Sequence, residues 1–124
     1  MHRIAFVLLW AGIALTKGAL CLAVVGAHSD VGRELVYYGK GRGWDVCAVA
    51  PAQELDDLVD LACPRMLAQD LLRLDADVVV CDATTVRRDA FEVLVGQYGD
   101  AVFLVQSASE GVDLLKSYGE DESR

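Results

Sequence analysis

The sequence predicts a single α/β domain built on a parallel sheet of about five strands, with helices on both faces. Short apolar runs alternate along the chain with segments of helical periodicity, which is typical of β-α-β units. The runs are continuously apolar, as expected of parallel strands that are covered on both faces. A length of 124 residues fits one domain with a core of its own.

The first half of the domain is predicted to hold two neighbouring strands and the helix that joins them. Residues 19–25 form the first strand, and the second strand is predicted at residues 45–50. A helical periodicity lies between them, with Val31, Leu35 and Tyr38 on its apolar face. The glycine-rich stretch 39–43 ends this helix and turns the chain.

The middle of the chain is predicted to contain a helix and a short strand at the edge of the sheet. Pro51 suits a helix start, and the apolar face of that helix consists of Leu55, Leu58, Val59 and Ala62. Residues 63–68 are compatible with an edge strand because proline is tolerated at its beginning. A brief helical turn follows at 70–74.

The last third is predicted to repeat the strand and helix alternation twice. The fourth strand is predicted at 77–81 and the fifth at 101–105, with a final helix from about 111 to 118. The helix between these strands carries Phe91, Leu94, Val95 and Tyr98 on its apolar face. Thr84 or Thr85 is expected to cap this helix.

The two ends of the chain lie outside the predicted domain, which covers residues 19–118. Residues 1–18 combine a basic start with an apolar run, the shape of a signal peptide. The alternative is an apolar leader that docks on the domain. Secretion or membrane anchoring follows only from the first interpretation, whereas four cysteines without evident pairing favour the cytoplasm. Residues 119–124 are interpreted as a solvated acidic tail.

Charge and cysteine spacing exclude several classes of protein. The formal net charge is −8 and the basic residues are scattered among acidic ones, so nucleic acid is not an expected partner. The four cysteines, Cys21, Cys47, Cys63 and Cys81, show no C-x-x-C spacing, which argues against a zinc site or a redox dithiol. Cys21, Cys47 and Cys81 fall in the apolar runs of predicted neighbouring strands, where a thiol acts as a small apolar side chain.

A glycine-containing loop after the first strand predicts a phosphate-binding turn. Gly26 and Gly32 are the outer positions of a G-x-x-G-x-x-G spacing, with Ser29 in the middle. Free N–H groups at the start of the next helix can hold a pyrophosphate. We therefore predict a doubly wound domain of Rossmann type, in which His28, Asp30 and Val31 complete the turn. The alternative is a turn that merely joins strand to helix.

Two further loops belong to the predicted site, because ligands of doubly wound sheets bind beyond the carboxyl ends of the strands. The loops after the fourth and fifth strands contribute Asp82, Ala83, Thr84, Thr85, Gln106 and Ser107. Asp82 is interpreted as a residue that orients its loop or caps a helix rather than as a base. His28 has no partner visible in the sequence and is not assigned a catalytic role.

The segment from Val24 to Leu35 resembles the opening of bacterial dihydrodipicolinate reductase, whose pattern is V-G-A-x-G-R-M-G-R-x-L. The segment 76–85 resembles the A-D-V-V-I-D-F-T-T stretch of that family, and 105–109 occupies the place of I-G-T-T-G. The resemblance implies a cofactor domain for NAD or NADP. Ser29 and Asp30 depart from it, replacing a glycine and a basic residue.

The resemblance also marks what this sequence lacks. It covers about residues 19–118 and omits the second domain, which carries the proton donor and the substrate site in that family. A complete reductase is therefore not expected, and a separate substrate domain or a homo-oligomer is a candidate partner. Ala50 and Pro51, where the second strand ends, offer neither an acid for a ribose nor an arginine for a 2′-phosphate.

The sequence also bears on two other functional classes. The departures at Ser29, Asp30 and Gln106 also allow a non-enzymatic interaction module that kept the fold and lost its cofactor. An active short-chain reductase is disfavoured because no Tyr-x-x-x-Lys pair is present, since Gly41 and Arg42 follow Tyr37 and Tyr38 at that spacing.

Overall fold

A computed structural model describes residues 20–71, 73 and 75–122, and within them the chain forms one five-stranded parallel sheet. The strands are β1 (Cys21–Val25), β2 (Asp45–Val49), β3 (Arg65–Met66), β4 (Val78–Asp82) and β5 (Val102–Val105). Their spatial order is β3-β2-β1-β4-β5, and all pairs are parallel. Successive strands are added to one side of β1 as far as β3 and then to its other side from β4 onward, which is the arrangement of a doubly wound Rossmann-type domain. The predicted fold class is confirmed.

Helices connect the strands throughout the described part of the chain. They are α1 (Asp30–Gly41), a 3₁₀ helix (Ala52–Leu61), α2 (Ala68–Leu71), α3 (Arg88–Tyr98), a short 3₁₀ turn (Gly99–Ala101) and α4 (Ala108–Glu122). The last helix extends beyond Tyr118 into the predicted tail, whereas the predicted leader 1–18 lies outside the described residues. Among the helices of the described part, none is long and apolar enough to cross a bilayer.

The sheet separates two apolar clusters, one on each face. Side chains alternate along β1, so Leu22 and Val24 face α1, the 3₁₀ helix and α4, where Leu35, Leu58 and Leu115 are fully buried. Ala23 and Val25 face α2 and α3, which contribute Leu71 and Leu94. Cover on both faces explains why the central strands are continuously apolar in sequence.

The helix that follows β2 differs from its prediction. It is a 3₁₀ helix with three residues per turn, so the inward positions recur every three residues, at Leu55, Leu58 and Leu61. Val59, predicted on the apolar face, is 66% exposed, and Ala62 is an exposed left-handed residue at the end of the helix. The prediction was wrong at these two residues because it assumed the α-helical period.

Two basic side chains of α1 fix this 3₁₀ helix beside it. Arg33 donates to both carboxylate oxygens of Asp60, at 3.1 and 2.8 Å, and to the carbonyl oxygen of Asp57. Lys40 donates to the carbonyl oxygens of Leu61 and Ala62. Carbonyl groups at the end of a helix have no partner within the helix itself, and Lys40 supplies one. These contacts hold the second half of the 3₁₀ helix against α1.

Candidate functional site

The loops after β1 and β4 are in contact at the carboxyl edge of the sheet. Gly26 has φ +89°, and a Cβ atom at this position would overlap Thr85 Oγ1 and lie 3.1 Å from Asp82 Cβ. Only glycine combines this backbone conformation with so close an approach. The two loops that the sequence placed first in the predicted site are therefore neighbours.

Gly32 lets α1 approach the same turn. A Cβ atom at Gly32 would overlap the carbonyl oxygen of Gly26 and lie 2.6 Å from Ala27 Cα. Both obstacles are backbone atoms, which cannot move aside as the end of a flexible side chain can. The two outer glycines are thus required by the geometry of the turn itself, whatever the turn binds.

Ser29 caps α1 at the middle position of the glycine spacing. Its Oγ accepts a hydrogen bond from the Gly32 N–H at 3.0 Å and donates to the Gly26 carbonyl oxygen at 2.9 Å. The Arg33 N–H bonds to the Ser29 carbonyl oxygen, which begins the helical pattern. The first N–H groups of a helix have no partner within it, so the N–H groups of Asp30 and Val31 can serve an anion.

Asp82 orders the loop that follows β4. The residue is fully buried, and its carboxylate accepts hydrogen bonds from the Thr84 N–H at 3.0 Å and the Thr84 Oγ1 at 2.9 Å. The N–H groups of Thr85 and Val86 donate to its carbonyl oxygen. A carboxylate engaged in this way holds its loop in one conformation. This agrees with the interpretation of Asp82 as an orienting residue.

The predicted threonine cap of the next helix is wrong. The N-cap of α3 is Arg87, which makes no side-chain capping hydrogen bond. Thr84 instead bonds Asp82, and the Thr85 hydroxyl donates to the Asp82 carbonyl oxygen at 3.4 Å. The loop after β4 is two to three residues longer than the prediction allowed, so α3 starts without a side-chain cap.

The loop after β5 is organised as a capping motif. Ser107 Oγ accepts from the Glu110 N–H at 3.2 Å, and the Glu110 carboxylate accepts from the Gln106 N–H at 2.8 Å. This reciprocal pattern satisfies N–H groups at the start of α4. Gln106 and Ser107 therefore lie at the carboxyl edge, as predicted, while their recorded hydrogen bonds serve the helix.

A cavity of about 250 Å³ opens where β1, β2 and the start of α3 meet. Among the predicted site residues it is lined by Gly26, His28 and Thr85. The rest of its wall was not predicted as part of the site and consists of Val25, Val49, Ala50, Pro51, Val86, Arg87 and Ala90. The remaining predicted residues stand beside this cavity or farther along the edge, in the loops described above.

His28 lines this largely apolar cavity, and one of its ring nitrogens is shielded from solvent. This atom, Nδ1, has no hydrogen-bond partner in the described part of the structure. An unsatisfied buried polar atom costs on the order of 1–3 kcal/mol. No sequence pattern predicts this burial, because the burial of a loop histidine depends on what packs over it.

Arg87 is the residue that sequence reasoning missed. It precedes α3 and lines the cavity, although it lies far along the chain from both Gly26 and Ala50. Patterns at the end of β2, where an arginine for a 2′-phosphate is expected, do not include it. Its place follows only from the rule that the loop after β4 reaches the same crevice as the loop after β1.

A second cavity lies at the opposite, amino edge of the sheet and holds three of the four thiols. It measures about 380 Å³ and is lined in part by Cys21, Cys47 and Cys63. Burial raises the pKa of Cys47 to about 12, and burial also raises the pKa of Cys63. Thiols that stay protonated at neutral pH are poor nucleophiles, so this larger cavity lacks the features of a thiolate site.

Comparisons with known proteins give no family assignment. No family model and no curated protein matches the chain. A structure of a nucleoside-diphosphate-sugar epimerase from Pseudomonas aeruginosa is similar over 64% of this chain, with 18% sequence identity and a TM-score of 0.45. The match covers 27% of the epimerase chain, so this chain spans about a quarter of that protein's length.

Proposed function

We propose that this domain binds a dinucleotide, NAD or NADP, at the carboxyl edge of its sheet. The observation that carries the proposal is the position of the 250 Å³ cavity. It lies at the carboxyl ends of β1 and β4, where the strand order switches to the other side of β1, and it borders the turn that leads into α1. Ligands of doubly wound sheets bind in this crevice.

The cavity suits one aromatic ring system. Val25, Val49 and Val86 supply apolar walls, and the volume is below the roughly 300–1,000 Å³ typical of pockets that enclose a whole drug-sized ligand. A purine base would fill it and leave the rest of a dinucleotide along the edge. His28 also lines the cavity and can contact the base with its ring.

The pyrophosphate would lie at the start of α1. The N–H groups of Asp30 and Val31 and the positive end of the helix favour a negative charge there. Two features oppose it, because Ser29 already occupies the Gly32 N–H and the Asp30 carboxylate stands in the first turn. We expect weak binding on this account.

The nicotinamide half would extend toward β4 and β5. Ala83, Thr84 and Thr85 follow β4, and Gln106 and Ser107 follow the next strand of the sheet. This assignment rests on the resemblance to the cofactor domain of dihydrodipicolinate reductase. We propose that these 124 residues bind the dinucleotide and that a separate substrate domain or a second copy supplies the substrate contacts.

Isothermal titration calorimetry of the protein with NADH and with NADPH, together with melting temperatures in the presence of each, tests the proposal. An Ala90→Trp variant fills the cavity from an exposed helix position, and Val93→Trp places the same side chain on the same helix outside the cavity wall. We expect binding that Ala90→Trp abolishes and Val93→Trp preserves. Absence of heat and of thermal stabilisation at millimolar ligand would contradict the proposal.

A second function, an interaction module without a cofactor, is favoured by one observation. The Ser29 hydroxyl bonds the Gly32 N–H at 3.0 Å, so part of the anion site is satisfied from within the chain. On this alternative the domain is folded and stable without nucleotide, and neither dinucleotide raises its melting temperature. The same titration therefore separates the two functions.

A further inference from the structure

Arg87 brings a positive charge to the cavity from the loop after β4. Its side chain is 81% exposed, and its ion pair with Asp89 is 3.2 Å long between two exposed groups. Exposed pairs of this kind contribute little free energy, so the guanidinium can turn to another anion at small cost. The charge is therefore available at the mouth of the cavity.

The opposite wall of the cavity carries no competing charge. It is formed by the end of β2, where Ala50 is buried and Pro51 is exposed, and neither side chain can repel a phosphate or hold a ribose diol. A carboxylate at this place is the feature by which such domains select an unphosphorylated ribose. Asp30, the acidic residue in the first turn of α1, is not part of the cavity wall.

We infer that the cavity prefers an adenosine whose ribose carries an additional phosphate, as NADP does, and that Arg87 is the residue that determines this specificity. The inference rests on the proposed dinucleotide function and adds the class of ligand. A guanidinium can bind a phosphate through two parallel hydrogen bonds, which a neutral ribose hydroxyl cannot reproduce.

Asp89 is the group that opposes this contact. Its carboxylate accepts from the Arg87 guanidinium and from the Ala90 N–H at 2.9 Å. A ligand phosphate must displace it from Arg87. The binding of a phosphorylated ribose should therefore strengthen when the carboxylate of Asp89 is replaced by an amide.

Calorimetric titration of four proteins with NADPH and with NADH tests the inference. They are the unmodified chain, Arg87→Gln, Asp89→Asn and the matched control Arg88→Gln, which removes the neighbouring exposed arginine outside the cavity wall. We expect the unmodified chain to bind NADPH about tenfold or more tightly than NADH, since a hydrogen bond to a charged group contributes about that much. Arg87→Gln should remove this preference by lowering the affinity for NADPH alone. Asp89→Asn should increase the preference for NADPH, and Arg88→Gln should leave it unchanged.

The possible contrary results are distinguishable. Equal affinity of the unmodified chain for both dinucleotides overturns the inference and leaves dinucleotide binding intact. If Arg87→Gln lowers the affinity for NADH and for NADPH equally, the inference is also overturned, because the arginine would then act on a part common to both ligands. Failure of either dinucleotide to bind any of the four proteins, with circular dichroism showing them folded, overturns the proposed function itself.

Discussion

The loops after β1 and β5 resemble each other in hydrogen bonding and differ in what surrounds them. Each contains a serine, Ser29 or Ser107, whose hydroxyl accepts an N–H from the first turn of the following helix. The two helices, α1 and α4, also pack on the same face of the sheet, where Gly111 approaches Leu35. Only the first loop borders the cavity of the candidate site.

The position of each strand in the sheet explains the difference. β1 is central, so its loop lies between the ends of β2 and β4, and residues that follow both of these strands complete the cavity wall. β5 is an edge strand, so within the described part of the sheet its loop has a neighbouring strand end only on the β4 side. The same capping chemistry therefore begins two helices, and the strands on either side of each loop decide which of the two borders the cavity.

The largest expected difference in stability comes from substituting the glycine in the first turn of each helix, Gly32 in α1 and Gly111 in α4. Gly32→Ala forces a Cβ atom against backbone atoms of Gly26 and Ala27, and we expect it to cost about 3 kcal/mol of unfolding free energy. Gly111→Ala meets only the side-chain end of Leu35 at 2.6 Å, and helix propensity favours alanine by about 1 kcal/mol. Its net effect should stay within about 1 kcal/mol of zero. Urea unfolding of both variants measures the difference, and equal losses would contradict the distinction.

A smaller effect is expected from removing the two caps. Ser29→Ala and Ser107→Ala should each lower the unfolding free energy by about 1 kcal/mol, because each leaves an N–H without its capping partner. Only Ser29→Ala also frees the Gly32 N–H beside the proposed pyrophosphate, so only this variant should change the affinity for ADP, which lacks the nicotinamide half that we place near Ser107. If Ser107→Ala changed the affinity for ADP equally, the pyrophosphate would not lie at the start of α1. Urea unfolding and calorimetric titration on the same samples provide both measurements.

The smallest effect on either loop is expected from alkylation of the thiols. Burial raises the pKa of Cys47 and of Cys81 to about 12, so at pH 8 both thiols remain protonated and should resist iodoacetamide. Cys63 is only partly buried and should be the first of these three to react. Mass spectrometry of proteolytic peptides identifies the modified site. Since Cys63 lies at the amino edge of the sheet, its modification should leave dinucleotide affinity unchanged, and a loss of affinity would show that the two edges are coupled.

Much of the scaffold was predictable because burial on both faces leaves a clear pattern in sequence. The central strands β1, β2 and β4 are continuously apolar runs, and each was predicted to within two residues of its observed limits. The glycines of the first turn were recognisable from their spacing, which reflects contacts between neighbouring parts of the chain. The start of α3 was not recognisable, because the hydroxyl of Thr84 bonds Asp82 rather than a helix N–H.

The sequence by itself determined the α/β class, the parallel sheet and the turn between Gly26 and Gly32, since these follow from local periodicity and from backbone conformations that only certain residues adopt. Tertiary structure decided which residues share a cavity. Arg87, Pro51 and His28 come from three separate loops and meet only because the strands carry their ends to one edge of the sheet. Spacing along the chain cannot report such a meeting, because the distances that matter run across the sheet rather than along it.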